Sequence, residues 1–225
     1  MMSEQMNDTN RSDLLRLATL VDYPIKGFSA AVNGIQLLLN EKYPVLASVL
    51  RPFTYFASTA PIDEMQELYV RTFEVQAVTT LDLGYLLFGD DYKRAELLVN
   101  LNREHSLAGN DCGTELADHL PNVIRLVARM QDDPVRRHLV EKLICPGLQK
   151  MISEFEPFAL EKKNEVYKRH HQTLIEVPGE YGTLYQRPLI ILLELIREEF
   201  GVQPDESGGS SHFLHSINTE MNLEE

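Results

Sequence analysis

Pro61-Ile62-Asp63-Glu64-Met65-Gln66-Glu67-Leu68-Tyr69-Val70-Arg71-Thr72-Phe73 is the stretch on which the fold class turns. Proline opens it and two acids follow, a combination suited to a first helical turn, where backbone N–H groups lack partners and the dipole favours negative charge. Met65, Leu68, Tyr69, Thr72 and Phe73 then recur three and four residues apart, so a helix carries all five on one face. The period-two alternation of a half-buried strand is absent.

The same spacing repeats on both sides. Upstream, Ser12 can cap a helix with Leu14, Leu15, Leu17, Ala18 and Val21 as its apolar positions, ended by Asp22-Tyr23-Pro24. A second helix is expected from Ser29 to Lys42 with Ile35, Leu38 and Leu39 inward, and a third from Pro44 through Leu46, Val49, Leu50 and Phe53, which Pro52 can kink or divide. Downstream, Thr80 to Phe88 reads as a short apolar helix, stopped by Gly89-Asp90-Asp91, which also caps the next. That helix runs from Tyr92 to Leu107 with Ala95, Leu98, Val99 and Leu101 as its predicted buried stripe. After the loop Gly109-Asn110-Asp111-Cys112-Gly113, Asp118 is the predicted N-cap and Pro121 an early-turn residue of a helix burying Val123, Ile124, Leu126, Val127 and Met130.

Asp132-Asp133-Pro134 opens a further helix with Leu139, Val140, Leu143 and Ile144 inward. Pro146-Gly147 interrupts the pattern before Leu148, Met151, Ile152 and Phe155 resume it, which predicts a kink or two abutting helices. The pattern fades from His170 to Pro188, and a last helix is expected from Leu189 to Phe200, bounded by Pro188 and Gly201. The sequence therefore predicts an all-α protein: a flexible N-terminus over 1–11, a single-domain helical bundle over 12–200, and a disordered acidic tail over 201–225. At 225 residues the chain suits one substantial domain.

Composition narrows the function classes. A formal net charge of −13, from 34 acidic and 21 basic residues, repels phosphate backbones and anionic lipid surfaces, so neither nucleic acid nor direct membrane insertion is expected. The first eleven residues have no apolar core of signal-peptide length, and Leu189 to Ile196 is broken by Glu194, well short of the roughly 18 apolar residues of a membrane span. Both features predict a cytoplasmic protein. Cys112 and Cys145 lack a C-x-x-C spacing and read as two free thiols.

Chemistry has little to attach to. The histidines (His105, His119, His138, His170, His171, His212 and His215) form no H-E-x-x-H or other compact ligand motif, so no metal is expected. Glu115 and His119 are four residues apart rather than the three of a di-iron E-x-x-H pair, and there is no Walker A, G-x-G-x-x-G or nucleophile elbow. The chain is therefore not expected to be an enzyme, with a helical enzyme of unknown type as the remote alternative.

Three segments occur in a fixed order: Glu67-Leu68-Tyr69-Val70-Arg71-Thr72-Phe73, then Gly84-Tyr85-Leu86-Leu87-Phe88-Gly89-Asp90-Asp91-Tyr92-Lys93-Arg94, then Glu115-Leu116-Ala117-Asp118-His119-Leu120-Pro121. Their order, spacing and helical context resemble the nitrate reductase delta-subunit family, the assembly chaperones of the NarJ and TorD type. Ala117 stands where that family commonly has proline, and Asp91-Tyr92 where a threonine-arginine pair is usual, so a chaperone for another molybdenum oxidoreductase of the same superfamily fits as well.

The resemblance implies a helical-bundle chaperone with no cofactor of its own. Its partner would be the catalytic (alpha) subunit of a molybdopterin oxidoreductase, held through an N-terminal segment or twin-arginine leader before its bis-molybdopterin guanine dinucleotide cofactor is inserted. The chaperone itself would be a monomer or weak homodimer. The implied client-binding residues are Tyr69, Phe73, Tyr85, Asp90, Lys93, Arg94, Asp118, His119 and Pro121, with Tyr69, Tyr85, Asp118 and His119 bordering a groove and Asp90, Lys93 and Arg94 near its rim. Contact through His119 would make affinity vary between about pH 6 and 7.5. A structural subunit retained in the mature oxidoreductase is the principal alternative.

Overall fold

The computed structural model describes residues 8–131, 133–161, 163 and 181–203. Among them the chain is all-α. The helices are α1 (Asp8–Ala18), α2 (Phe28–Lys42), α3 (Pro44–Thr59), α4 (Ile62–Phe73), α5 (Leu83–Phe88), α6 (Tyr92–Leu107), α7 (Leu120–Arg129), α8 (Asp133–Leu139), α9 (Cys145–Ser153) and α10 (Gln186–Phe200). Short 3-10 turns occupy Thr19–Val21 and Tyr181–Thr183, and a π-helical turn Val140–Ile144. The extended pairing among these residues is an isolated antiparallel bridge between Asp82 and His119. No described helix is long and apolar enough to cross a membrane.

The chain forms two compact units. One takes the described residues of Met1–Ala18, Asp82–Gly147 and Glu194–Glu225; the other takes those of Thr19–Leu81 and Leu148–Leu193. In the first, α1 packs on α7, α5 on α6, and the π-helical turn on α5, α7 and α8. In the second, α2 and α3 form the most extensive helix pair, and α4 meets the 3-10 turn at Tyr181–Thr183.

The face predicted for α4 is the one that is buried: Met65, Leu68, Tyr69, Thr72 and Phe73 are all inside. Other elements depart from the sequence reading. α1 begins at Asp8 with Ser12 inside it, and Asn10 anchors the first turn by donating to Glu199 Oε2 at 2.6 Å. α3 continues through Pro52 to Thr59 as one helix. α5 starts at Leu83 and not Thr80, because Asp82 is held extended by its bridge to His119. The buried face of α6 is Leu97, Asn100, Leu101 and His105, whereas Ala95 and Val99 are exposed and Leu98 is half-buried. Two polar residues belong to that face, and an apolar count cannot see them.

Pro146-Gly147 does not break the chain into separate helices. Pro146 has no N–H to donate one turn back, and the preceding turn relaxes into π geometry, with Cys145 N–H donating to Val140 O, before α9 continues. Gly147 is required there, since a Cβ would lie 2.3 Å from Leu83 Cδ2. α10 begins at Gln186 and carries Pro188 in its first turn, where proline costs no hydrogen bond. The predicted loop over 170–188 lies outside the described residues up to position 180, and the predicted tail beyond 203 lies outside them entirely. Cys112 and Cys145 are both free thiols.

Candidate functional site

The segments singled out at Gly84 to Arg94 and at Glu115 to Pro121 meet around one carboxylate. Asp118 is fully buried. It is not the N-cap of α7, a position held by His119; it instead joins two other helices. Its backbone carbonyl accepts from Leu83 N–H at 3.0 Å, and its Oδ2 accepts from Gly84 N–H at 3.1 Å. The first N–H groups of α5, which lack partners within the helix, are thus satisfied by Asp118. The same Oδ2 accepts from Arg94 Nε at 3.1 Å, which ties in the first turn of α6. Asp118 Oδ1 is buried with no hydrogen-bond partner among the described residues.

Arg94 resolves an oddity of the sequence, a basic residue in a first turn where the dipole disfavours it. Its Nη2 donates to Asp82 Oδ2 at 2.9 Å, so the guanidinium bridges two carboxylates, and its Cζ stands 5.3 Å from the centroid of the Tyr85 ring. Burial opposes the Arg94 charge, but the hydrogen bond and attraction of Asp118, joined by those of Asp82, raise its pKa further. Gly84 makes this approach possible: a Cβ there would lie 2.6 Å from Asp118 Oδ2 and 3.1 Å from Arg94 Cγ. Glycine inside the apolar run Leu83–Phe88 was the sequence signal for such a close approach.

His119 closes the arrangement. Its Nδ1 donates to Asp82 Oδ1 at 3.2 Å and lies 4.0 Å from Glu115 Oε2. The hydrogen bond from His119, opposed by burial and aided by Arg94, holds the Asp82 carboxyl below its ordinary range. At the surface above this frame stand Tyr85, 45% exposed, and the partly open His119. Gly89 ends α5 at φ +67°, and Asp91 caps α6 by accepting from Lys93 N–H at 3.0 Å. Asp90 is exposed and Lys93 half-buried beside it.

A second polar network fixes the loop leading to Asp118. Buried His105 donates from Nε2 to Ala117 O at 2.9 Å, and its Nδ1 accepts from Asn110 Nδ2 at 2.8 Å, which specifies the neutral ring. Burial pushes the His105 pKa down, opposed by the Ala117 carbonyl. Asn110 also donates to Asn122 O at 3.1 Å and accepts from Arg129. Asn122 in turn donates to Leu116 O at 3.1 Å and Cys112 O at 3.3 Å. Asp82, Gly84, His105, Asn110 and Asn122 therefore belong to the site, and sequence reasoning had named none of them as site residues.

The remaining candidates are frame residues. Pro121 is buried at the start of α7. Tyr69 and Phe73 belong to the other unit, where both are buried in an aromatic cluster. Tyr69 stands edge-on to Tyr23, Phe73 and Tyr185, with centroids 5.3, 5.1 and 5.8 Å away. Among the described residues no cluster of three or more His, Cys, Asp or Glu is placed to hold a metal ion. No protein-family model matches the chain, and no curated protein matches it.

Proposed function

We propose that this protein is an assembly chaperone of the NarJ and TorD type. It holds the cofactor-free catalytic subunit of a molybdenum oxidoreductase in the cytoplasm through an N-terminal segment or export leader. The observation that carries the reading is the joint at Asp118. The two sequence segments that most specifically resemble that family are bound into one frame by Gly84, Arg94 and Asp118, and the frame presents Tyr85 and His119.

In this reading the buried residues and the exposed ones divide the work. Asp118, Arg94 and Pro121 hold the frame, as Tyr69 and Phe73 do in the other unit; Tyr85 and His119 contact the client, and Asp90 and Lys93 flank them. Tyr85 offers an apolar ring with a polar tip, suited to an apolar residue next to a basic one. The acidic chain favours a basic segment on approach.

The test is client capture by Tyr85→Ala and His119→Gln proteins. Both residues are partly open, so the variants should unfold within a few degrees of the parent yet retain at least about tenfold less client. Undiminished capture by the folded double variant rejects this assignment.

A further inference from the structure

The loop that brings Asp118 and His119 to α5 is held by hydrogen bonds whose directions are all determined. Asn110 sets them. Its Oδ1 accepts from Arg129 and its Nδ2 donates to Asn122 O at 3.1 Å, so two residues of α7 fix the amide end for end. The same Nδ2 meets His105 Nδ1 at 2.8 Å, and that ring nitrogen is therefore an acceptor. The ring proton sits on Nε2, which donates at 2.9 Å to Ala117 O, the carbonyl immediately before Asp118.

A second proton on His105 has no place in this network. Nδ1–H would face the N–H of Asn110, donor against donor. Turning the amide over would offer its oxygen, but would set its NH2 against the Arg129 guanidinium and leave Asn122 O without its donor. The ring is 3% exposed, so water does not replace what is lost. Burial outweighs the Ala117 carbonyl and Glu104, and the pKa lies below the ordinary 6.5. Of the charged groups around it, Glu104 on its own helix attracts a charged ring, and Arg129 of α7, reached through Asn110, stands against one. The acids of the loop, Asp111 and Glu115, are exposed.

Outside side chains reach the far end of this loop at three carbonyls. Cys112 O and Leu116 O accept from Asn122, and Ala117 O accepts from His105. Asn110 joins the two holders, so losing one loosens the other.

We infer that His105 is a proton-operated latch on the client site, an inference that rests on the assembly-chaperone reading. With the ring neutral, the loop from Gly109 to Ala117 holds His119 in the frame with Tyr85; with the ring charged, the loop lets go and the client is released. The latch is shut at pH 6.5 and above and opens as pH falls through the folded pKa.

Cys112, half-buried in the loop, reports the opening. Its reaction with dipyridyl disulfide is followed on the full chain, told apart from buried Cys145 by mass spectrometry and normalised to glutathione at each pH. The rate should rise at least about fivefold from about pH 7.5 to about pH 5.5. His105→Gln keeps a donor for Ala117 O and an acceptor for Asn110 but cannot take the proton, and should hold the rise below about twofold. Arg129→Met, at an exposed position, frees Asn110 to turn its oxygen to the charged ring and should at least about halve the rise.

The second readout is binding of a peptide with two arginines ahead of an apolar stretch. The parent should lose about tenfold in affinity over the same interval, and His105→Gln less than about twofold. A Cys112 rate that does not rise in the parent, or rises equally in His105→Gln and Arg129→Met, overturns the latch. An equal loss of peptide binding in parent and His105→Gln overturns its link to the site. A parent that binds no peptide at about pH 7.5 counts against the chaperone reading, and the thiol rates alone then decide for or against the latch.

Discussion

Asp118 in one unit and Tyr185 in the other are both fully buried, and each leaves an oxygen without a partner among the described residues. Their surroundings differ. Tyr185 is enclosed by ring edges, with Phe73 5.0 Å, Phe53 5.1 Å and Tyr69 5.8 Å away between centroids. Burial pushes its phenol pKa well up, so the group stays neutral. Asp118 is bound to Arg94, Gly84 and the start of two helices. The aromatic unit is held by area and shape, and there a polar atom is a small burden. The Asp118 joint is held by paired charge, and losing one partner exposes the full cost of the other.

The largest expected effect breaks that joint from the arginine side. Arg94→Ala strands a fully buried carboxylate and should cost about 3–5 kcal/mol in urea unfolding. Asp118→Leu should cost less, about 1–3 kcal/mol, because the Arg94 side chain is 16% exposed and keeps Asp82. Equal losses would mean that the charge is not what holds the two helices. Tyr185→Phe should go the other way and stabilise by about 1 kcal/mol, since it deletes a buried hydroxyl that has no partner. A loss of that size would show the hydroxyl to be bonded in solution.

The smallest effect is a pH dependence that originates in the Asp118 unit. The folded pKa of His105 lies below its ordinary 6.5, so its contribution is complete above about pH 6.5 and declines as pH falls from there towards the folded value. Asp82, depressed below 3.8, contributes above that value and loses its share only as pH falls through its folded pKa. Unfolding free energies measured against pH should show two separate declines, and His105→Gln should remove part of the upper one. A His105→Gln profile with an unchanged upper decline would contradict the assignment of that step.

The same contrast explains which parts were legible in the sequence. The inward face of α4 could be read in full because all five of its residues repeat at helical spacing and nothing polar but Thr72 intrudes. α6 was misread by about one position because Asn100 and His105 are inside it, and polar residues carry no burial signal until their partners are known. Asp118 followed the pattern of a cap, and only the approach of α5 and α6, through residues 24 to 35 positions earlier, turns it inward. Pro146 was read as an interruption since a sequence pattern cannot show that the preceding turn widens to π geometry. The residues that form the joint were quoted together, but Asp82, which supplies half of the Arg94 bridge, was not among them.

The central claim is that this chain holds a molybdenum oxidoreductase subunit before its cofactor arrives. The most direct measurement is a pull-down from native cytoplasm, with mass spectrometry and molybdenum analysis of what is retained. The account predicts a large catalytic subunit of the molybdopterin class, bound without molybdenum. Retention of the metal-loaded, active enzyme would contradict it in favour of a permanent subunit, and retention of no such protein would contradict it altogether.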